Sequence, residues 1–210
     1  IARKLPEKTL IKFKIEEKKI YLNANKNTFE LNTFDHLDFP ALPKTQNTSV
    51  INIKQELLKE LIENTSFSMG NQDIRAYLNG LFFELNQNSL TVVATDGHRL
   101  SIGEVKQDNN LEERKTVILP RKAVLELTKL LNKSSQSNAE IHLSDNYFSL
   151  IDVDTKIISR LIDGNFPNYK QVMPTDFSNT IVINRTDFLS SLQQASIFVD
   201  ERTKGVKLVF

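Results

Sequence analysis

Apolar residues alternate with lysines near the start of the chain. Ile11, Phe13 and Ile15 fall on one side of an extended segment, with Lys12 and Lys14 on the other. Glu16-Glu17-Lys18 turns this segment into Ile20, Tyr21 and Leu22, and the Asn-rich run 23–27 turns it again into residues 28–33. Short strands joined by tight polar turns predict an antiparallel meander rather than a crossover unit. Residues 1–5 read as the end of a helix stopped by Pro6. Phe39-Pro40-Ala41-Leu42-Pro43 and the polar run to Ser49 read as a linker, because proline keeps the backbone extended and removes donors.

The hydrophobic period then changes from that of a strand to that of a helix. Asn52 stands three residues before Gln55 in a capping-box arrangement. Leu57, Leu58, Leu61, Ile62 and Thr65 follow on one helical face, with Lys54, Lys59 and Glu63 elsewhere. A polar loop covers 68–75, and residues 76–85 and 90–94 form a hairpin around Asn86-Gln87-Asn88. A strand is expected over 99–105, and the charged run 106–115 reads as a solvated loop. Residues 116–119 lead into a second helix opened by Pro120 at its first position. Val124, Leu127 and Leu131 face inward there, with Lys122, Glu126, Lys129 and Lys133 opposite and Arg121 beside them. Three further strands are expected over 140–143, 147–151 and 155–161, and 163–174 reads as a second linker.

The first helical pattern then returns. Asn184 and Asp187 flank the start of a helix carrying Phe188, Leu189, Leu192 and Ala195. At one fixed offset, Leu57, Leu58, Leu61, Thr65 and Phe67 match Phe188, Leu189, Leu192, Ser196 and Phe198, and both linkers contain Phe-Pro. The spacing of this repeat is that of whole domains. The fold class is therefore α+β, with repeated domains of antiparallel strands and helices. The expected division is the end of one domain over 1–45, a complete second over 46–168, and a linker with the beginning of a third over 169–210. The chain starts at Ile1 rather than Met and stops inside the strand-like run 205–210, so it is read as a piece of a longer protein.

Composition narrows the chemistry. With 27 Lys and Arg against 26 Asp and Glu, the net charge is +1, so any affinity for nucleic acid must come from local arrangement. Cysteine is absent, and His36, His98 and His142 are scattered without metal-ligand spacing, so neither a thiolate nor a metal site is expected. No apolar run approaches the roughly 20 residues of a membrane span.

Chemistry concentrates in residues 91–101. The β-branched and small residues 91–94 suit a strand, and Asp96-Gly97 bends the chain. His98, Arg99 and Leu100 follow, offering stacking, bidentate hydrogen bonding and apolar burial just past the bend. From these residues alone, a merely solvated strand–turn–strand remains open. So does a hydrolase or nuclease dyad of Asp96 and His98, which would share a face on a strand. No nucleophile elbow, metal cluster or phosphate-cradling Gly-rich loop accompanies that pair.

Ala94-Thr95-Asp96-Gly97-His98-Arg99-Leu100 and residues 166–174 closely resemble the bacterial β sliding clamp family, the processivity subunits of DNA polymerase III. Residues 72–75, 77–80 and 119–122 match the same family in order and spacing, so the resemblance spans the whole chain. It implies a non-catalytic protein without cofactor or metal, cytoplasmic and nucleoid-associated. Each subunit would have three similar domains, and two subunits would close head-to-tail into a homodimeric ring, with helices lining the hole and sheets outside. The ring would encircle double-stranded DNA without reading sequence. A hydrophobic cleft would take short peptide motifs of the polymerase III α subunit, other polymerases, clamp-loader subunits and repair factors. The resemblance assigns Leu78, Thr95, Gly97, His98, Arg99, Leu100, Pro167, Gln171 and Val172 to that cleft, with Leu78, Leu100 and Val172 as its apolar floor. Gln72, Arg75, Tyr77, Arg121 and Lys122 would face DNA, and Phe29, Glu30, Asn32, Ile197 and Phe198 would lie at the dimer interface. Many relatives have Arg where Gln171 stands and an aromatic residue where Ala76 stands, and the family's closing carboxy-terminal strand would lie beyond Phe210. A stand-alone peptide-binding adaptor of the same fold is the remaining alternative.

Overall fold

A computed structural model describes residues 1–41, 48–131, 137–152, 154–176, 179–199 and 205–209. Part of the first linker and Lys133 lie outside them. The chain divides into two compact units, Ile1–Gly164 and Asn165–Phe210.

The first unit begins with a 3-10 turn, Ala2–Lys4, in place of the expected helix end. The meander follows: β1 (Ile11–Glu16), β2 (Lys19–Ala24) and β3 (Asn27–Asn32), paired antiparallel in that order. Register stacks Phe13, Leu22 and Phe29 in one row and Ile15, Ile20 and Leu31 in the next. These rows make one apolar face, since directly paired residues share a side of the sheet. Lys14, Tyr21 and Glu30 stack on the other face, where Lys19 pairs with Glu30. Leu22 and Ala24 are buried, whereas Phe13 is 64% and Ile15 76% exposed.

Two four-stranded antiparallel sheets come next. One has the order β11 (Thr155–Arg160), β10 (Tyr147–Asp152), β9 (Asn138–Leu143), β4 (Ser49–Lys54). The other has the order β7 (Leu100–Lys106), β6 (Ser89–Thr95), β5 (Gly80–Asn86), β8 (Lys115–Pro120). Helices α1 (Gln55–Thr65) and α2 (Arg121–Leu130) join them in a single core. Leu58, Leu61 and Ile62 of α1 share one buried cluster with Val124 and Leu127 of α2, Leu81 and Phe83 of β5, and Ile141 and Leu150 of the other sheet. In α1 and α2 the helical faces read from the sequence are therefore the ones turned to the core, with Leu57 half-buried. The charged loop 107–114 is not simply solvated: Asn109 and Leu111 are buried, and the Asn109 amide donates to the carbonyls of Asn86 (2.7 Å) and Ser89 (2.9 Å).

Both helices start directly from a strand, which corrects two expectations. Asn52 does not cap α1: it sits inside β4 opposite Glu140, between the buried Ile51 and Ile53. Strand pairing claims it because its neighbours alternate into the core. Pro120 is the last residue of β8, opposite Gly80, and precedes α2 rather than opening it. Neither helix has a side-chain cap; instead the Gln55 amide donates to the Ser137 carbonyl (3.1 Å) and the Arg121 amide to the Asn79 carbonyl (2.9 Å). A neighbouring backbone carbonyl satisfies the first amide in place of a cap. A third difference lies at 76–78, where Ala76–Leu78 forms a 3-10 turn and the strand begins only at Gly80.

The second unit contains a 3-10 turn, Tyr169–Gln171, and α3 (Arg185–Ser196). Here the cap expected from sequence is present: the Asn184 side chain accepts from the amides of Thr186 (2.9 Å) and Asp187 (3.2 Å). No residue of α3 is buried. Residues 205–209 form no strand, contrary to their apolar pattern, since an extended segment needs a ladder partner and this unit has no strand among its described residues.

Candidate functional site

Thr95 ends β6 and Leu100 starts β7, and these two residues form the last pair of the ladder. The connection 96–99 is built by Asp96. Its Oδ1 accepts from the backbone amides of His98 (2.9 Å) and Arg99 (3.1 Å), and its Oδ2 accepts from the Arg99 Nε (3.1 Å). Such a side-chain-to-backbone turn is what aspartate offers two residues before the amide it binds. Burial pushes the Asp96 carboxyl up, but the two amides and the Arg99 guanidinium outweigh it and hold it below the usual carboxylate range. The Thr95 hydroxyl donates to the Arg99 carbonyl (2.7 Å) and accepts from the Gly97 amide (3.1 Å). Gly97 has φ +89°, which a side chain would strain. The turn is thus pinned from inside while Gly97, His98 and Arg99 remain exposed and Leu100 half-buried.

This geometry removes the dyad reading. The hydrogen bond joining Asp96 and His98 comes from the His98 backbone amide, and the carboxylate's other oxygen is taken by Arg99. Among the described residues the imidazole is not what Asp96 holds. Arg99 also reaches Phe67, donating from a terminal nitrogen to its carbonyl (2.6 Å) and lying 5.7 Å from its ring centroid. Phe67 is 56% exposed, so an aromatic ring and a guanidinium flank the turn together. Along the sequence Phe67 stands out only as the repeat partner of Phe198.

The loop 69–79 carries the residues expected to face DNA. Gln72 is exposed in the left-handed region (φ +58°), and Tyr77 is half-buried. Arg75 is not free: its Nε and a terminal nitrogen bind both oxygens of Asp73 at 3.0 and 2.9 Å. The same nitrogen reaches the Asp96 carbonyl at 3.4 Å, and the guanidinium lies 3.1 Å from where a Cβ on Gly97 would stand. The side-chain and backbone hydrogen bonds from Arg75 hold the Asp73 carboxyl down, from an ordinary 3.8 to about 2. A carboxylate so depressed keeps its partner at every pH above the ordinary value and loses it as pH falls through about 2. Asn79 locks Asp73 in turn, accepting from the Asp73 amide and donating to its carbonyl, both at 2.8 Å. Arg121, at the start of α2, donates from its side chain to the Met69 carbonyl (3.4 Å), and Lys122 beside it is exposed. The structure therefore brings Arg121 to the root of this loop and Arg75 to the 95–99 turn.

Leu78 is 1% exposed, so it presents no open surface. In the second unit, Pro167 and Gln171 are exposed and Val172 is 71% exposed. In the meander, Phe29 lies on the apolar face while Glu30 and Asn32 lie on the polar one, so these residues do not form one side of β3. Ile197 and Phe198 are 74% and 90% exposed. Among the described residues no helix is long and apolar enough to cross a membrane.

Residues 52–168 match the family described as DNA polymerase III beta subunit, central domain. The beta sliding clamp of Pseudomonas putida is 34% identical over 208 residues, which cover 99% of this chain and 56% of the relative. The beta sliding clamp of Proteus mirabilis is 35% identical with the same coverage. The chain thus spans little more than half the length of these relatives. Among solved structures, the DNA polymerase III subunit beta of Pseudomonas aeruginosa superposes with a TM-score of 0.87 at 34% identity, over 96% of this chain and 55% of that one. The sliding clamp of Bacillus subtilis gives 0.85 at 29% identity, over 95% and 52%. A domain with the two sheets, two strand-led helices and aspartate-built turn described above is matched across more than half of the chain, and the chain belongs to the DNA polymerase III beta subunit family.

Proposed function

We infer that the chain is part of a sliding clamp: a non-catalytic ring subunit that encircles duplex DNA, tethers the replicative polymerase and receives other polymerases, clamp-loader subunits and repair factors through short peptides. The observation that carries this reading is the pinned 95–99 turn within a family domain. It offers hydrogen-bonding groups from His98 and Arg99 beside the half-buried Leu100, on a backbone already ordered before a partner arrives. Preorganisation of that kind lowers the ordering cost of binding. The domain division 1–45, 46–168 and 169–210, and the roles of Pro167, Gln171 and Val172 in the cleft, belong to the same proposal. So does ring closure through β3 and Ile197-Phe198 into a homodimer.

A partner's Leu or Phe would be the anchor, worth about 1.5–3 kcal/mol when fully buried. In the full-length protein, Leu100→Asp should weaken binding of a Leu-Phe-containing peptide at least about tenfold, because it sets a carboxylate where an apolar group must be buried. Calorimetry giving an unchanged affinity would remove Leu100 from the cleft.

DNA contact would be sequence-independent, as sliding requires, and carried by phosphate. Reversing Arg121 and Lys122 together to Glu should reduce retention of the full-length protein on circular DNA and leave its peptide affinity intact. Equal retention of the two proteins would count against an inward-facing α2 start. Arg75 is left out of this pair because it touches the 95–99 turn.

A further inference from the structure

We propose that Asp73 is a positioning residue that withholds Arg75 from anions and lays it across the 95–99 turn, so that phosphate on the 69–79 loop and an ordered turn compete for one guanidinium. The proposal rests on the reading above that this loop meets DNA. A continuous set of contacts carries it. Arg121 anchors the loop through Asn79, whose side chain brackets the Asp73 backbone from both sides. Asp73 then fills the bidentate fork of Arg75 and also accepts from the Arg75 amide (2.8 Å). What remains of the guanidinium faces the Asp96 carbonyl and the bare α-carbon of Gly97.

A guanidinium offers a side fork (Nε with one terminal nitrogen) and an end fork (the two terminal nitrogens); in Arg75 Asp73 fills the first, and the Asp96 carbonyl shares the second. Arg75 can therefore take a phosphate bidentately only by giving up Asp73 or the Asp96 carbonyl, and either exchange changes its hold on the turn. The turn's other holds are internal, from Asp96 and Thr95, or run from Arg99 to the Phe67 carbonyl. Occupation of the loop by a polyanion should therefore loosen residues 96–99, and a turn held in place should weaken anion binding by the same factor, since such coupling is reciprocal.

The test uses Asp73→Asn in this chain, with binding of a fluorescein-labelled duplex followed by anisotropy across a salt series. Hydrogen exchange of the amides of His98 and Arg99 is read in parallel. Freed Arg75 should tighten duplex binding several-fold at low salt and steepen the log–log salt slope by about 0.9, one phosphate's worth. Exchange at His98 and Arg99 should quicken while Phe83, in the core, stays protected. Asp73→Asn combined with Arg75→Gln should lose the gain in affinity, which separates release of Arg75 from mere removal of a negative charge. Unchanged exchange at His98 and Arg99 overturns the proposal, as does a gain in affinity that survives the double substitution. Faster exchange with no duplex binding by either protein overturns the competition and the DNA reading together, and leaves Asp73 acting on the turn alone.

Discussion

Phe83→Ala should cost about 3–5 kcal/mol of folding stability, the range for deleting a large buried ring. Phe83 is 2% exposed on the inner face of β5 and Phe148 is 1% exposed on β10, in the other sheet. Their ring centroids stand 6.1 Å apart at 45°, so this pair couples the two sheets at the centre of the core. The site cannot collapse easily, because Leu85 beside it is paired on both edges of β5, to Leu90 and Lys115, and Leu81 is paired to Leu119. Urea unfolding followed by circular dichroism measures the loss. Phe148→Ala should cost a similar amount, and the double substitution should cost less than the sum by about 0.5–1.5 kcal/mol. Strictly additive losses would mean that the rings fill space independently and do not join the sheets.

Gly80→Ala should be nearly as damaging, about 3 kcal/mol, the upper end of what overpacking usually costs. A Cβ at Gly80 would stand 2.7 Å from the Leu119 carbonyl oxygen, 2.8 Å from Ile118 Cγ2 and 2.9 Å from Ile162 Cδ1. The first of these is backbone within the β5–β8 ladder and cannot swing away. Gly103 supplies the comparison: a Cβ there meets the Leu61 Cδ2 at 2.9 Å, the end of a flexible side chain, so Gly103→Ala should cost clearly less. Equal losses at the two positions, read from the same unfolding curves, would show that the backbone contact at Gly80 is not what matters.

The parts of this fold that could be read from the sequence are those set by neighbours in the chain. Leu58, Leu61 and Ile62 repeat at helical spacing and are buried; Asn184 caps α3 because the amides it needs are two and three residues away. The Asp96 turn is legible for the same reason. Three of the misreadings involve a distant partner. Asn52 has the form of a cap, but β9 takes its backbone, and the first amide of α1 goes to Ser137, which no local window contains. Pro120 looked like a helix opener because its pairing with Gly80 is invisible along the chain. Arg75 looked free for DNA because its second contact, Asp96, lies 21 residues on. Asp73 carries a local signal, its spacing of two from Arg75.

The two strand-to-helix junctions have a geometric consequence. β4 ends at Lys54 and α1 begins at Gln55; β8 ends at Pro120 and α2 begins at Arg121. With no intervening residues, each helix inherits its rotational phase from the pleat of the strand before it. One residue inserted at either junction would turn everything after it by about 100° around the helix axis. For α1 that would carry Leu58 and Ile62 away from the core and bring charged neighbours toward it. These junctions act as keyways: chain length at each one sets which side of a helix looks inward and which looks out.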